Sequence, residues 1–280
     1  MVPSTSPLAI EAVDLRFAYP SGVEALRGVN LTIRAGEFVG VIGQNGSGKT
    51  TLVKHFNGLL KPTRGVLKVL GVDTRTQGVA KLAKLAGYVF QNPDHQIFCN
   101  TVREEIVFGP RNTGMPASEI ESSLRHVMEL LDLQGLEERH PFRLSRGERQ
   151  RLAIASILAM RPRILILDEP TGGQDRQQVS RLIATLRQLN VEGHTIVLVT
   201  HDLELLAECA DRALVMFQGK ILVDGTPHDV FREVDTLRRT ALAPPQITRW
   251  SLAVGLPRLF LTVAEAVGAY HGEGPGSGTQ

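Results

Sequence analysis

Residues 43–51 read GQNGSGKTT, and this stretch decides the fold of the chain. It matches the phosphate-binding pattern G-x-x-x-x-G-K-[ST]. The apolar run Phe38 to Ile42 leads into it, and the amphipathic segment Thr51 to Leu60 follows it. A strand, a glycine-rich turn and a helix in this order let backbone N–H groups surround phosphate oxygens at the helix N-terminus. The sequence therefore predicts a nucleoside triphosphate site; the alternative is a flexible glycine loop without a ligand.

The loop residues have distinct expected roles. Lys49 brings a positive charge to the outer phosphates, and the Thr50 hydroxyl can join a magnesium shell. The neighbouring positions offer backbone N–H groups and small side chains to the phosphates. The expected nucleotide contacts in this loop are Gly43, Gln44, Asn45, Gly46, Ser47, Gly48, Lys49, Thr50 and Thr51.

Composition indicates an ordinary globular chain of 280 residues, enough for one large or two small domains. The hydrophobic fraction is 42% and the charged fraction 21%. A net charge of only +2 gives no reason to expect a nucleic-acid partner or a polybasic membrane anchor. Cys99 and Cys209 have no metal-ligand spacing and suit a reducing compartment. The sequence shows neither a signal-peptide pattern nor an apolar run of about 20 residues, so any membrane role is expected from outside the bilayer.

The distribution of apolar runs predicts an α/β fold. Five short runs alternate with helical patterns, which favours buried parallel strands. Before the loop, residues 8–34 alternate polar and apolar, with turns expected at Pro20–Gly22 and Arg27–Gly28, which predicts a smaller antiparallel sheet. The expected parallel strands are Phe38–Ile42, Gly87–Phe90, Ile164–Leu167, Thr195–Thr200 and Ala213–Phe217.

Two further regions interrupt or extend this core. The strand pattern disappears over residues 92–152, where Ser118 and Glu121 form an S-x-x-E capping box before a helical pattern. We interpret this stretch as a helical insertion. After residue 234 the chain becomes an extension, residues 235–280, whose final GEGPGSGTQ is too polar and glycine-rich to order by itself. We therefore assign residues 1–234 to one domain and residues 235–280 to an extension with a disordered tail.

A second candidate for chemistry is the apolar strand at 163–167, which ends in Asp168 and Glu169. Carboxylates at the C-terminal end of a buried strand lie at the sheet edge where α/β folds bind ligands. Asp168 can hold magnesium there, and Glu169 can orient or deprotonate an attacking water. The alternative is a solvated acidic turn stopped by Pro170.

Between these motifs, residues 144–151 read LSRGERQR. This segment resembles the LSGGQ-x-QR signature of the ABC-type ATPases, with Arg146 and Glu148 in place of Gly and Gln. Ser145 and the Gly147 N–H, at a helix start, can form an anion site. The alternative is an N-capped helix with exposed arginines. We expect Arg146 to pair with a phosphate or with Glu148.

Other residues match the family's landmarks in chain order. Gln91 matches the glutamine that contacts magnesium or water, and Asp175 is the conserved residue of the D-loop, which here reads GGQD. His201 matches the switch histidine that contacts the γ-phosphate, and Tyr19 matches the aromatic residue that stacks on adenine. The resemblance implies a P-loop NTPase (RecA-like) core with an antiparallel β subdomain, a helical insertion and a C-terminal extension, binding ATP and Mg²⁺.

Residues 87–112 narrow the resemblance further. The segments QNPDHQIF (91–98) and EEIVFGP (104–110) are similar to those of the ATPase subunits of energy-coupling factor (ECF) transporters, which import cobalt and vitamins. This implies a transmembrane partner that docks near residues 92–98, a separate substrate-capture component, and a peripheral position on the cytoplasmic face of the cell membrane. Asp94, His95 and Gln96 are the expected exposed contacts, whereas Ile97 and Phe98 belong either to this surface or to the core.

The resemblance also implies a head-to-tail dimer, in which Ser145 and Gly147 of one subunit close on the nucleotide held by Lys49 of the other. The sequence leaves open whether the partner is a second copy or a paralogue. It also leaves two alternatives in function: an ABC ATPase outside transport, and a subunit that binds nucleotide but hydrolyses it weakly.

Overall fold

The computed structural model describes residues 6–256 and 258–272. These residues form two β-sheets surrounded by helices. The strands are β1 (Leu8–Ala18), β2 (Glu24–Arg34), β3 (Phe38–Gly43), β4 (Arg64–Val69), β5 (Val72–Asp73), β6 (Ala86–Val89), β7 (Ile164–Asp168), β8 (Thr195–Val199), β9 (Arg212–Phe217) and β10 (Lys220–Gly225). The α-helices are α1 (Lys49–Phe56), α2 (Val79–Ala83), α3 (Val102–Asn112), α4 (Ala117–Leu130), α5 (Arg146–Leu158), α6 (Arg176–Val191), α7 (Leu203–Cys209), α8 (Pro227–Arg232), α9 (Val234–Arg239), α10 (Gln246–Val254) and α11 (Val263–Gly272).

The larger sheet has the strand order β10-β9-β3-β8-β7-β6. The pairs β3–β8, β3–β9, β7–β8 and β6–β7 are parallel, and only the β9–β10 hairpin in this sheet is antiparallel among the described strands. Parallel neighbours require crossover connections, which helices supply here. All five apolar runs form strands of this sheet within two residues of their expected bounds. The predicted α/β P-loop fold is confirmed.

The smaller sheet is antiparallel, with the order β2-β1-β4-β5, as predicted. The turn predicted at Arg27–Gly28 is wrong, because both residues lie inside β2. Gly28 takes φ 80° where the β1–β2 register shifts. Gly28 therefore lies in a β-bulge. A bulge interrupts the alternation of polar and apolar residues, as a turn does.

Residues 92–163 contain helices and turns but no strand, in line with the expected helical insertion. The capping box predicted at Ser118 is wrong. The N-cap of α4 is Pro116 and the helix begins at Ala117, so that Ser118 lies inside the first turn. A residue there has helical φ and ψ and cannot cap. Complete capping boxes occur instead at Thr101 with Glu104 and at Ser145 with Glu148.

The larger sheet has an apolar core on each face, because alternate residues of its buried strands point to opposite sides. Val39 and Val41 of β3 pack with α1 and the smaller sheet. Phe38 and Ile42 of the same strand pack with the helices α3 to α9. The phosphate loop thus leaves a strand that is buried on both faces, which fixes its position.

The C-terminal extension begins in the second of these cores. Leu237, Leu259 and Leu261 are at most 5% exposed and belong to the same apolar cluster as Phe38. The tail expected to be disordered lies, from residue 273 onward, outside the described residues. Within the described part of the chain, no helix combines the length and apolar character needed to cross a bilayer.

Candidate nucleotide site

The loop between β3 and α1 is shaped by glycines. Gly43 and Gly48 take φ values of 152° and 105°, which residues with a Cβ rarely adopt. A Cβ on Gly43 would lie 2.3 Å from the Met216 carbonyl oxygen, and one on Gly48 would lie 2.7 Å from the Ala25 carbonyl oxygen. The corresponding position on Gly46 is open to at least 4 Å among the described atoms. Neighbouring backbone therefore fixes the curve of the loop, while its outer side stays accessible.

Lys49 is held at the centre of this loop. Its ammonium group donates hydrogen bonds to the carbonyl oxygens of Gly43 (2.8 Å) and Gln44 (3.0 Å). Burial lowers the pKa of Lys49, and the charges of Glu169 and Asp168 oppose that shift. The side chain is thus folded back over the loop, with its charge facing the two carboxylates that follow β7.

Asp168 is fixed by one neighbour and has one oxygen to spare. Its Oδ2 accepts a hydrogen bond from the Tyr88 hydroxyl at 2.7 Å. Burial and the adjacent carboxylate raise the pKa of Tyr88, so this hydroxyl keeps its proton and donates. The Oδ1 of Asp168 and the Oγ of Ser47 are buried without a hydrogen-bond partner in the described protein. Buried unpaired oxygens are costly, and carboxylate and hydroxyl oxygens of this kind fit Mg²⁺ and its water shell.

Glu169 and His201 form the pair that can act on a water molecule. The Nδ1 of His201 lies 2.7 Å from Oε2 of Glu169. The Glu169 side chain is 11% exposed and that of His201 is 73% exposed. Glu169 has φ 50°, an unusual value for a residue with a side chain and one that is often found at functional sites. Its N–H donates to the Val199 carbonyl oxygen at 2.9 Å, which holds the strained residue at the sheet edge.

A cleft of about 600 Å³ lies beside the loop. Tyr19 is part of its wall, with its hydroxyl 2.9 Å from Oγ1 of Thr51. The Tyr19 ring packs edge-on against Phe17, which packs edge-on against His55. The cleft therefore has an aromatic end and a phosphate-loop end. Its wall also includes Asn45, Gly46, Gly48, Lys49, Thr50, Thr51, Gln91 and Glu169.

A second cleft of about 660 Å³ adjoins the first, and Gly43, Gln44, Asn45, Gln91, Glu169 and His201 line it. Its opposite wall is residues 241–246 with Arg249, from the C-terminal extension. The structure therefore brings together the phosphate loop, the end of β7 with its two carboxylates, Gln91 and His201. Residues 145–148 line neither cleft in the described chain.

Residues 144–151, which resemble the signature, include the N-cap and first turns of α5. This agrees with the alternative hypothesis of an N-capped helix. The Ser145 Oγ accepts a hydrogen bond from the Glu148 N–H at 3.2 Å, and the Ser145 N–H donates to Glu148 Oε2 at 2.7 Å. The bond from Ser145 lowers the pKa of Glu148. This cap fixes Ser145 and Gly147 at the N-terminus of α5, where anions are favoured, so the cap and the anion-site hypothesis are compatible.

Arg146 does not form the expected pair with Glu148. The Glu148 carboxylate bonds to the Ser145 backbone, whereas the Arg146 guanidinium lies against the backbone of Gly173. Asp175 serves as the N-cap of α6, where its Oδ1 accepts from the Gln178 N–H at 2.8 Å. No local sequence pattern indicates either arrangement, because both depend on how α5 and the segment before α6 meet.

The segment after Gln91 is tied to α5. Asp94 forms an ion pair with Arg149, in which Oδ1 and Nε are 2.8 Å apart without the angle of a hydrogen bond. The expectation of an exposed Gln96 is wrong: its Oε1 accepts from the Phe90 N–H at 3.2 Å, and its Nε2 donates to the Ala153 carbonyl at 2.7 Å. The Gln96 side chain is half-buried, and both ends of its amide are bonded within the chain.

The two apolar residues of this segment, Ile97 and Phe98, differ in burial. Ile97 is 3% exposed and belongs to the core, while Phe98 is 62% exposed. The Phe98 ring packs edge-on against Phe108, itself 45% exposed, with 4.7 Å between ring centroids. An exposed aromatic pair of this kind is typical of contact surfaces.

Three residues that the sequence did not single out support the site. Tyr88 holds Asp168, Gln178 contacts Gly147, and the N–H of Gly219 donates to the Ser47 carbonyl at 2.9 Å. A tyrosine in an otherwise apolar buried strand is a signal that could have identified Tyr88. Nothing in the local pattern marks the other two.

Known proteins are similar to this chain in sequence. The family profile described as ABC transporter matches residues 26–172. The chain is 42% identical over 240 residues to the energy-coupling factor transporter ATP-binding protein EcfA of Methanocaldococcus jannaschii, covering 85% of this chain and 86% of that protein. It is 47% identical over 264 residues to the ABC transporter ATP-binding protein TTE1589 of Caldanaerobacter subterraneus, covering 94% of this chain. The chain spans only 46% of that relative's length.

Solved structures show the same fold. The cbiO1 protein from Clostridium perfringens, part of the ABC transporter complex cbiONQ, matches with a TM-score of 0.76 and 33% identity, covering 90% of this chain and 100% of that one. The ATP-binding cassette MJ0796, in a dimeric post-hydrolysis state bound to ADP and Pi, matches with a TM-score of 0.71 and 28% identity, covering 78% of this chain and 98% of that one. With the site's geometry, these matches establish that the chain belongs to the ABC transporter family, among its ATP-binding proteins.

Proposed function

We propose that the chain is the ATP-hydrolysing subunit of an ECF-type uptake transporter for a vitamin or a metal ion. The observation that carries the hydrolytic part is the 2.7 Å contact between Glu169 and His201 beside the phosphate loop. The subtype is supported by the similarity to EcfA and to cbiO1. We keep the roles assigned to the site residues from the sequence as part of this proposal.

The reaction joins the oxygen of a water molecule to the γ-phosphorus and breaks the bond from that phosphorus to the β–γ bridging oxygen. ADP and inorganic phosphate leave. Glu169 orients the water and accepts its proton. The Nδ1–H of His201 donates to Glu169, which leaves the exposed Nε2 of the ring to face the γ-phosphate. Lys49 supplies charge to the outer phosphates, and Tyr19 stacks on the adenine.

The magnesium ion would be held by Asp168, Thr50 and Gln91. The unpaired Oδ1 of Asp168 supports this assignment. When bound, Mg²⁺ neutralises charge on the outer phosphates. The chain's own contribution is to fix Asp168 through the Tyr88 hydroxyl, which leaves Oδ1 without a protein partner.

The working unit is a head-to-tail dimer, with a second copy or a paralogue, in which Ser145 and Gly147 close on the partner's nucleotide. The absence of residues 145–148 from both described clefts supports a role in the partner's site.

Residues 1–234 form the ATPase domain, with the insertion at 92–152, and residues 235–280 form an extension on it. A transmembrane subunit docks near Phe98, and a separate membrane component captures the substrate. The subunit then lies at the cytoplasmic face of the membrane.

The Glu169→Gln variant tests the hydrolytic role. Loss of a general base costs on the order of 10² to 10⁴ in rate, whereas the phosphate loop is unchanged. We expect ATP binding to persist and turnover to fall by that factor, with an ATP-bound dimer accumulating on size-exclusion chromatography. Hydrolysis near the wild-type rate would remove Glu169 from the catalytic role.

Purification of the tagged chain from membranes of its source cells tests the transport role. The expected result is a complex containing a transmembrane subunit and a membrane-embedded capture protein, identified by mass spectrometry. Recovery with soluble partners alone would favour an ABC ATPase outside transport.

A further inference from the structure

The N-terminal end of α5 and the turn before α6 meet through a close contact of Arg146 with Gly173. A Cβ on Gly173 would lie 2.8 Å from Nη1, 2.9 Å from Cζ and 3.1 Å from Nε of Arg146. The three similar distances show that the guanidinium plane lies flat over this glycine. Gly173 has φ 74°. Only glycine combines this backbone with room for the guanidinium.

A second contact joins the same two elements. A Cβ on Gly147 would lie 2.8 Å from Oε1 of Gln178. Gln178 lies in the first turn of α6, and its N–H is bound by the Asp175 cap. The residues after Ser145 and the residues around Asp175 are therefore joined at two points, and a glycine permits the close approach at each.

Below these contacts the packing of α5 on α6 is incomplete. A cavity of about 230 Å³ lies there, with Gln150, Arg151, Gln174 and Gln178 in its wall. Gln150 is 4% exposed, and its Nε2 has no hydrogen-bond partner in the described protein. A cavity at this place removes some of the dispersion contacts that hold packed helices in one position. The contacts at Arg146 and Gln178, beside this cavity, therefore contribute to how the start of α5 and the turn are placed.

We propose that Arg146 is a positioning residue that locks residues 170–175 to the start of α5. Ser145, Gly147 and Asp175 then move as one unit. The proposal rests on the proposed function in one respect, since the unit's use is to present these residues to the partner's nucleotide on dimer closure. The Arg146 substitution in the signature and the Gly172-Gly173 pair in the D-loop are, in this view, matched features of the chain.

The contact itself is tested by hydrogen exchange of the full-length protein without nucleotide. We expect Arg146→Gly to raise the exchange rate of the amides of residues 170–175 at least about tenfold, because closed local structure opens more often when its contacts are lost. Arg146→Lys should behave the same way, since an ammonium group cannot lie flat on a backbone. Arg143→Ala, which removes an exposed arginine three residues earlier, is the matched control. Unchanged exchange in Arg146→Gly would overturn the proposal.

The consequence is tested by ATP turnover in a double-mutant cycle. We expect Arg146→Gly and Gly173→Ala each to lower kcat about tenfold or more with little change in KM, because small displacements of positioning groups are costly. The double variant should lose less than the product of the two effects, since the added methyl group no longer meets the guanidinium. Gly172→Ala, whose Cβ would lie 3.5 Å from Arg146, should be close to wild type.

The outcomes separate the two proposals. If the losses of kcat multiply in the double variant, the loss in Gly173→Ala comes from backbone strain alone. That result would overturn the proposed role of Arg146. Full activity of Arg146→Lys would show a charge acting on phosphate instead. A wild-type chain that hydrolyses no ATP with its partners would contradict the proposed function, while the exchange result would still decide the contact.

Discussion

At the scale of single residues, burial and a few polar contacts set the chemistry of the nucleotide site. Lys49 is 7% exposed, its ammonium group donates to two carbonyl oxygens, and the charges of Glu169 and Asp168 oppose the lowering of its pKa by burial. Asp168 is oriented by one hydroxyl group. Glu169 is held in a strained conformation by the bond from its N–H to Val199. Each arrangement fixes a charged group before the ligand arrives, which is the condition for electrostatic catalysis.

Replacement of Lys49 by alanine should weaken ATP binding itself. At an ATP concentration of 100 times Kd, binding stabilises the folded state by about 2.7 kcal/mol. A hundredfold rise in Kd would reduce this to about 0.4 kcal/mol at the same concentration. The increase in melting temperature with magnesium-ATP should therefore shrink sharply in Lys49→Ala. Lys54→Ala, on the far turn of α1, is the control and should keep the shift; an equal shift in both variants would contradict the P-loop assignment.

His55 should make the protein less stable in mild acid. It is 0% exposed, burial lowers its pKa, and its Nδ1–H donates to the Thr51 carbonyl oxygen at 2.7 Å. The unfolded chain, with the ordinary His pKa of about 6.5, then binds more protons than the folded one. Stability from this group is present above that pKa and is lost as pH falls below it, by up to about 1.4 kcal/mol per pH unit.

The measurement is urea unfolding of wild type and His55→Asn at several pH values between 5.5 and 7.5. Asparagine keeps a donor near the Nδ1 position and does not titrate, so its unfolding free energy should vary less with pH. Other histidines affect both proteins alike and cancel in the comparison. Identical slopes would show that His55 is not kept neutral by the fold.

At the scale of elements, the segment from Gln91 to Phe98 connects the nucleotide cleft to the signature helix. Gln91 lines both clefts, Asp94 pairs with Arg149 of α5, and Gln96 bridges β6's end to α5. Residues three and five positions after Gln91 are thus bonded to α5. The exposed ring of Phe98 lies at the end of the same segment, where a partner can contact it.

Two variants should separate the internal and external roles of this segment. Gln96→Ala leaves the Phe90 N–H unpaired and should lower the free energy of unfolding by about 1–3 kcal/mol. Phe98→Ser should change that free energy little but reduce recovery of the membrane partner on affinity purification. The control for Gln96→Ala is His95→Ala, which alters the exposed neighbouring side chain. The control for Phe98→Ser is Phe142→Ser, which alters an exposed phenylalanine elsewhere. Full recovery of the partner with Phe98→Ser would place the docking surface elsewhere.

At the scale of the whole molecule, the C-terminal extension is built into the cassette. Leu237, Leu259 and Leu261 pack in the core formed by α3 to α9. Residues 241–246 also form one wall of the cleft that contains Glu169 and His201. The extension therefore contributes both to the core and to the surroundings of Glu169 and His201.

Leu261→Ala should destabilise the whole protein, although it lies far along the extension. Truncation of a buried leucine costs about 2–5 kcal/mol, and Leu261 is 5% exposed. Val263→Ala, two residues later and 65% exposed, is the matched control and should cost less than about 0.5 kcal/mol. Both are measured by urea unfolding. Equal small effects would mean that the extension folds apart from the cassette.

The sequence by itself determined the fold class, the phosphate loop and the order of the nucleotide-binding motifs. These depend on local patterns, namely glycine spacing, apolar runs and carboxylates at strand ends, which short stretches of sequence contain in full. It also predicted the five parallel strands of the larger sheet to within two residues, because strands buried on both faces are almost wholly apolar. It misplaced the turn at Gly28 and the cap at Ser118, where a bulge and a proline change the local geometry.

Only the tertiary structure decided which groups meet. The contacts of Tyr88 with Asp168, of Arg146 with Gly173 and of Gln96 with α5 join residues that are distant in the sequence, and so no local pattern encodes them. The assignment of Ile97 to the core and Phe98 to the surface likewise required the packing of α3 on α5. Side chains acquire partners, burial and shifted pKa values only when the elements pack, and the chemistry of this site depends on those three properties.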